Sequence, residues 1–227
     1  MTEAGQRGSG AAGQNRLPRI TALTPETRGT GVGAGAVRIE VDGERFASVS
    51  PEIVRAFGLQ VGRELDQALR GRLEQEAHIE GAYRTALRSI ERRSFARADL
   101  GRRLRRKGHA PDAVEAALVR MTEHGLLDDV AFAANYVETR SARGRGPLRL
   151  TRDLMAMGVE RTVIDRAVAT SLRELEGGGD VPLALATKRA TQLQGLPRQV
   201  KRRRVLAYLA RRGFSGREVS EMVGRLL

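Results

Sequence analysis

The sequence predicts a mainly α-helical protein in which repeats of two or three short helices follow a small N-terminal β-hairpin and helix. Three observations indicate this fold class. One pattern of apolar residues around a glycine occurs three times, residues 37–49 alternate around an Asp-Gly pair, and long helical periodicities fill the remainder of the chain. Since each repeat stacks on its neighbour, we expect an elongated array.

The repeat is centred on Gly108, Gly158 and Gly213, which are spaced 50 and 55 residues apart. Positions eight and four before each glycine lie on one helical face, and so do positions six and ten after it. Glycine supplies the left-handed residue that ends the first helix. One unit buries little apolar surface alone, so we expect neighbours to share a core. The apolar positions are Leu100, Leu104, Val114 and Leu118; Leu150, Leu154, Ile164 and Val168; and Val205, Leu209, Val219 and Val223.

The first residues predict a flexible tail and then a hairpin. Residues 1–36 carry eight glycines and no hydrophobic periodicity, which is typical of a tail. The dipeptide Asp42-Gly43 favours a two-residue hairpin turn. In that register Ile39 faces Phe46, and Glu40 faces Arg45 on the other side of the sheet.

The hairpin belongs to a segment over residues 37–80 that continues with helices. Ser50-Pro51 predicts the N-cap and first residue of a short helix that Gly58 ends. A helical pattern then runs from about residue 63 to residue 92. Its candidate breaks are Gly71 and Gly81.

The three repeats are predicted to cover residues 81–126, residues 127–178 including a glycine-rich linker, and residues 179–227. Their predicted helix starts are Ser94 before a helix over 95–107, Pro111, Asp128, and a capping box over Ser215–Glu218.

Charge is high and unevenly distributed. The net charge is +13 with a pI of about 11.3. Residues 180–227 contribute +8 and residues 91–109 contribute +6, whereas residues 40–80 contribute −4. A segregated basic surface favours a polyanionic partner, above all nucleic acid. The alternative is an ordinary solvated surface on a protein whose high-GC genome encodes arginine in place of lysine.

Helical-wheel geometry places most basic side chains away from the apolar stripes, where they can meet a partner. The loop 143–147 offers glycine amides and two arginines that can approach phosphates, although a plain linker explains it equally well. Few Asn or Gln side chains accompany the arginines, so we expect contacts mostly to the nucleic-acid backbone. The predicted nucleic-acid or filament-binding residues are Arg102, Arg105, Arg106, Lys107, Arg143, Arg145, Arg149, Arg152, Lys201, Arg203, Arg204, Arg211 and Arg212.

No enzyme site is apparent, and we expect no catalytic, cofactor-binding or metal-binding residues. The histidines at 78, 109 and 124 have no second ligand at metal spacing, no phosphate-binding Walker loop occurs, and cysteine is absent. No segment reaches the roughly 18 apolar residues of a membrane span, and no secretory signal is present. We therefore expect a cytoplasmic protein that contacts no membrane. The few aromatic residues beside the apolar stripes are predicted core: Phe95, Phe132, Tyr136, Tyr208 and Phe214.

Four segments within about residues 81–227 form a recognisable series: SFARADLGRRLRRKG (94–108), LLDDVAFAANYVETR (126–140), RGRGPLRLTRDLMAMGV (143–159) and LAYLARRGFSGREV (206–219). Together they resemble the RecX regulatory proteins. The resemblance implies tandem three-helix, helix-turn-helix-like repeats and binding to the RecA filament on DNA. It further implies inhibition of RecA ATPase, strand exchange and co-protease activity in DNA repair, recombination and the SOS response. Single- and double-stranded DNA would be further partners, and we expect a monomer.

Two other functions stay open at this point. Helix-turn-helix-like units are also typical of an independent DNA-binding protein or transcriptional repressor. A basic helical array can also serve as a scaffold for acidic proteins. Binding to RecA in the absence of DNA separates the first of these from a RecA regulator.

Overall fold

The computed structural model describes residues 16–26, 35–175 and 180–227, which form a mainly helical chain with a small antiparallel sheet near its start. The predicted fold class is confirmed. The chain divides into two compact units, residues 1–81 and 82–227. Its elements are β1 Ile20–Glu26, β2 Ala36–Val41, β3 Glu44–Val49, α1 Pro51–Ala56, α2 Gln67–Ile90, α3 Arg97–Arg106, α4 Pro111–Glu123, α5 Asp129–Ser141, α6 Pro147–Met157, α7 Arg161–Leu175, α8 Val181–Thr191, α9 Arg198–Arg212 and α10 Arg217–Leu226.

The predicted hairpin is β2–β3, and its two turn residues both have positive φ angles, as a two-residue Asp-Gly turn requires. Glu40 pairs with Arg45 as predicted. The prediction for Ile39 is wrong, because this residue pairs with Ala47 instead of Phe46. A bulge beside Ile39 adds one residue to β3 and shifts the register beyond it.

A third strand, β1, pairs antiparallel with β2 and makes the sheet three-stranded. The prediction of a flexible tail is therefore wrong for Ile20–Glu26. Its side chains alternate only weakly, and Pro25 is tolerated because β1 is an edge strand. Ala36, also part of the predicted tail, is the first residue of β2, and residues 1–15 and 27–34 lie outside the described residues.

The helices of the first unit pack on the sheet. Ser50 caps α1 as predicted, since its Oγ accepts a hydrogen bond from the Ile53 N–H at 3.4 Å. Helix α2 is continuous, so the candidate breaks at Gly71 and Gly81 are wrong. A glycine costs a helix only about 1 kcal/mol relative to alanine, and Leu73, which is fully buried against the sheet, offsets that cost.

The three glycine-centred corners have the same backbone geometry. Gly108, Gly158 and Gly213 have φ angles of 90°, 84° and 96°. Eleven of the twelve predicted apolar positions are buried, and Val219 is half-buried. The end of α2 with α3 and α4, the group α5–α7 and the group α8–α10 each enclose their own core, so the expectation of one shared core is wrong. In the described part of the chain, one residue of the first repeat, Ala96 next to α3, joins the core of the second repeat.

The helix N-termini show where capping by a residue adjacent in sequence was predicted correctly and where it was not. Asp128 caps α5 as predicted, accepting from two backbone amides. Ser94 does not cap α3. That helix begins at Arg97, whose N–H instead donates to the Asp129 carboxylate at 2.7 Å, so a residue of the second repeat caps a helix of the first. The predicted capping box at Ser215 is also wrong, because α10 starts after a glycine with φ of 118° and has no side-chain cap.

Candidate nucleic-acid interface

A basic cluster lies at the end of α3. Arg105 and Arg106 lie in the last turn and are exposed, as predicted, and Lys107, the C-cap, is exposed as well. Cations are favoured there because the carbonyl groups at a helix C-terminus carry partial negative charge. In the described part of the chain, none of the three side chains forms an ion pair. We call these residues the α3 cluster.

A second basic surface runs along α9. Arg203, Arg204 and Arg211 are exposed, while the opposite side of the helix buries Val205 and Leu209 completely. Among the described residues, no carboxylate neutralises any of the three arginines. Lys201, on the first turn, is half-buried. We call the three arginines the α9 cluster.

Some other exposed arginines are neutralised within their own helices. Arg161 pairs with Asp165 at 2.8 Å and Arg217 with Glu221 at 2.7 Å. Such pairs one turn apart contribute only a few tenths of a kcal/mol, about 0.3–0.5, but they cancel the local field. The α3 and α9 clusters are therefore two groups of neighbouring cations whose positive charge is left for a partner.

Two predicted binding residues join the repeats instead. The guanidinium of Arg102 donates to the carbonyl oxygen of Ala156 at the end of α6, at 2.9 Å. The guanidinium of Arg212 donates to the carbonyls of Arg143 and Gly144, at 3.2 and 3.4 Å. Arg102 does lie away from the buried stripe of α3, but the end of α6 packs beside it, so the side chain is half-buried and its guanidinium is bound within the protein.

The loop 143–147 is held by the third repeat. The Gly146 N–H donates to the Arg212 carbonyl at 2.7 Å, and a methyl group at Gly146 would lie 2.6 Å from the Gly213 carbonyl. The Arg145 guanidinium donates to Asp153 at 2.6 Å. The Gly146 N–H and the Arg145 guanidinium, which would have to bind a phosphate, are therefore already bound within the protein. We infer that the loop joins the second and third repeats. Arg143 is exposed.

Asp153 organises this joint, and the sequence analysis did not identify it. Its carboxylate also accepts from Arg149 at 2.9 Å and from the Tyr136 hydroxyl at 3.1 Å. Burial first, and then the charge and hydrogen bond of Asp153, raise the pKa of Tyr136. The only sequence signal was the one-turn spacing between Arg149 and Asp153.

The predicted set therefore divides by surroundings. Exposed residues with no ion pair in the described ranges are Arg105, Arg106, Lys107, Arg143, Arg152, Arg203, Arg204 and Arg211. Carbonyl or carboxylate groups of this chain bind Arg102, Arg145, Arg149 and Arg212, of which Arg149 is nevertheless exposed. The remaining predicted residue, Lys201, is half-buried. The predicted residues that lie near one another are those of the α3 cluster and, separately, those of the α9 cluster.

The histidines of the first repeat have structural contacts. His124 is the C-cap of α4 and shares a hydrogen bond of 2.9 Å with the Tyr83 hydroxyl. His109 lies 3.1 Å from the Thr85 hydroxyl. Burial above all, and then Lys107 and Arg88, lower the pKa of His109 below 6.5. Over the described ranges, no three His, Asp or Glu side chains converge as a metal site would require.

Most of the predicted core aromatics are only partly buried. Phe95 is buried, whereas Phe132, Tyr136, Tyr208 and Phe214 are half-buried beside their cores. The guanidinium groups of Arg189 and Arg212 lie 5.7 and 5.1 Å from the centroid of the Tyr208 ring. None of the described helices combines the length and apolar character of a membrane span.

Comparison with known proteins gives a consistent result. A family model for the first three-helix domain of RecX matches residues 82–121, and one for the second matches residues 128–168. The regulatory protein RecX of Pseudomonas entomophila is 35% identical over 144 residues, covering 63% of this chain and 88% of the relative. That of Halorhodospira halophila is 34% identical over 156 residues, covering 64% and 88%. A crystal structure of a regulatory protein RecX superposes with a TM-score of 0.74 over 92% of this chain and 100% of the other; at 24% identity, this is a likeness of fold.

Proposed function

Because this chain belongs to the RecX family of regulatory proteins, we propose that it binds the filament of the RecA recombinase on DNA and restrains it. The restrained activities are ATP hydrolysis, strand exchange and co-protease function. The protein acts as a monomer in the cytoplasm, within DNA repair, recombination and the SOS response, and without catalysis of its own. The predicted repeat bounds, 81–126, 127–178 and 179–227, remain part of this proposal.

The observation that carries the proposal is uncompensated charge at two places in one compact unit. The α3 and α9 clusters expose six cations that have no carboxylate partner in the described residues. Elsewhere the same chain neutralises several exposed arginines, including Arg70, Arg161 and Arg217, with Asp or Glu one turn away. A phosphate backbone supplies the missing negative charge.

Two separated clusters favour binding along a filament. Each cluster alone gives a weak, salt-sensitive contact. When both belong to one compact unit, binding of the first raises the effective concentration of the second, so the combined affinity exceeds either alone. A nucleoprotein filament presents such contacts repeatedly, and a regulator bound across several protomers opposes their rearrangement.

The direct test is RecA ATPase on single-stranded DNA while this protein is titrated in. We expect the rate to fall in a saturable manner at sub-stoichiometric to stoichiometric ratios. If the rate is unchanged while this protein binds free DNA, an independent DNA-binding role replaces the proposal. If neither DNA nor RecA is bound at low salt, a scaffold for acidic proteins replaces it.

A charge-removal experiment tests the phosphate contacts. Changing Arg203, Arg204 and Arg211 to alanine should weaken DNA binding and lower the salt slope by about 0.9 for each lost contact on duplex DNA. The matched control removes the same charge from three arginines that are ion-paired within their helices: Arg70, Arg161 and Arg217.

The control variant should bind DNA nearly as the wild type does. Helicity should be unchanged in both variants, because all six side chains are exposed. Equal losses in the two variants would mean that net charge, and not the α9 cluster, determines affinity.

A further inference from the structure

Helix α6 carries an exposed apolar pair that its core does not require. Leu148 and Met155 are 54% and 52% exposed. They are separated by two helical turns and therefore project from one face, with the exposed Arg152 between them. The opposite side of α6 buries Leu150 and Leu154. We call Leu148, Arg152 and Met155 the α6 patch.

The other repeats do not place two large apolar side chains there. In the first repeat, the positions matching Leu148 and Arg152 are Ala98 and Arg102, and the end of α6 covers both. In the third repeat, the three matching residues of α9 are an arginine and two alanines. The patch is therefore a property of the second repeat and not a consequence of the repeat pattern.

Arg152 has no carboxylate partner among the described residues. The neighbouring carboxylate, Asp153, is already bound by Arg145 and Arg149. An exposed arginine flanked by leucine and methionine combines residue types that interfaces favour, since methionine and arginine are enriched in protein contacts. A partner surface that complements the α6 patch has an apolar pocket bordered by an acidic side chain.

We propose that the α6 patch is the protein-binding surface of this chain and docks in such a pocket on a recombinase subunit of the filament; this inference rests on the proposed function. A DNA backbone does not fit, because phosphates offer no cover for leucine and methionine side chains. A second copy of this chain is disfavoured, since each copy carries a net charge of +13.

The proposal separates two chemistries on one molecule. The α3 and α9 clusters contact phosphate and lose affinity as salt rises. The α6 patch contacts protein through buried apolar atoms and is much less sensitive to salt. Filament binding then requires both, whereas binding to free DNA requires only the clusters.

The test is the double variant Leu148→Ser, Met155→Ser, measured for affinity to RecA filaments and, separately, to free DNA. We expect a loss of at least about tenfold for filaments, as for central interface residues, with DNA affinity and salt slope unchanged. The control changes two apolar residues exposed on other helices, Val119→Ser and Leu183→Ser, and should bind filaments as the wild type does.

The possible results separate this inference from the proposed function. If the wild type binds no filament, both fail. If the wild type binds and the double variant binds equally well, only the α6 patch is refuted. An equal loss of DNA affinity would also refute it, because the patch would then contact nucleic acid.

A cross-linking readout does not depend on polar substitutions. A photoreactive residue at Met155 should cross-link to the recombinase, whereas one at Arg204, in the α9 cluster, should reach DNA. A cross-link from Met155 to DNA, or to a second copy of this chain, would overturn the assignment.

Discussion

Replacing Gly213 by alanine tests how the second and third repeats are joined. A methyl group there would lie 2.6 Å from the Cβ of Arg149 and 2.8 Å from the Gly146 carbonyl. Real carbon atoms do not approach so closely, so the two repeats must move apart. The movement breaks the Gly146 N–H bond to the Arg212 carbonyl and the Leu148 N–H bond to the Gly213 carbonyl.

The same substitution at Gly108 provides a matched control. Gly108 ends α3 with nearly the same φ angle, 90° against 96°, but a methyl group there meets nothing within 4 Å. Both variants incur the left-handed backbone cost of about 1–2 kcal/mol. Only Gly213→Ala also loses two hydrogen bonds, each contributing about 0.5–1.5 kcal/mol. We expect about 3 kcal/mol for Gly213→Ala and about 1–2 kcal/mol for Gly108→Ala.

The measurement is urea denaturation followed by far-UV circular dichroism, with hydrogen exchange resolving which repeat opens. Gly213→Ala should lower the midpoint more than Gly108→Ala and should accelerate exchange in α8–α10 first. Because repeat proteins are stabilised by contacts between neighbours, losing one interface should release the terminal repeat. Equal midpoints for the two variants would refute the view that the Gly213 corner is a docking contact.

Three further changes probe other parts of the structure. Burial above all, and then nearby cations, lower the pKa of His109, so the unfolded state takes up a proton first as pH falls through about 6.5, and stability should decline there. His109→Gln should reduce that decline in urea midpoints measured between about pH 7.5 and 5.5. Asp153→Asn should cost about 1–3 kcal/mol by thermal denaturation, because it weakens the contacts with its three partners, whereas Asp165→Asn, at an exposed pair, should cost under about 1 kcal/mol. Leu154→Asp should unfold the second repeat by burying an unpaired charge, and a fully helical variant would contradict the register of the repeat.

Local patterns in the chain were enough to predict most helices and three corners. The spacing of Leu100 and Leu104 from Gly108 predicts a buried face and a left-handed end because both depend on near neighbours in sequence. The same reasoning succeeded for Ser50 and Asp128, whose side chains cap the helices that follow them directly.

The predictions from sequence were wrong where a segment distant in sequence supplies the hydrogen-bonding or packing partner. Strand β1 forms because β2 offers it an edge, and its own weak alternation gives little sign of this. Helix α3 starts at Arg97 because Asp129, 32 residues later, accepts its amide. The Ile39 register depends on a bulge that residue types do not indicate.

For the candidate site, the sequence by itself determined that the chain carries excess arginine and which helix faces cannot hold it. Only the tertiary structure decided which arginines stay available. Arg102 lies off the buried stripe of α3, as Arg105 does, but it meets a carbonyl group of the neighbouring repeat. A helical wheel describes one helix alone, and the contacts that neutralise a side chain come from whichever helix end packs beside it.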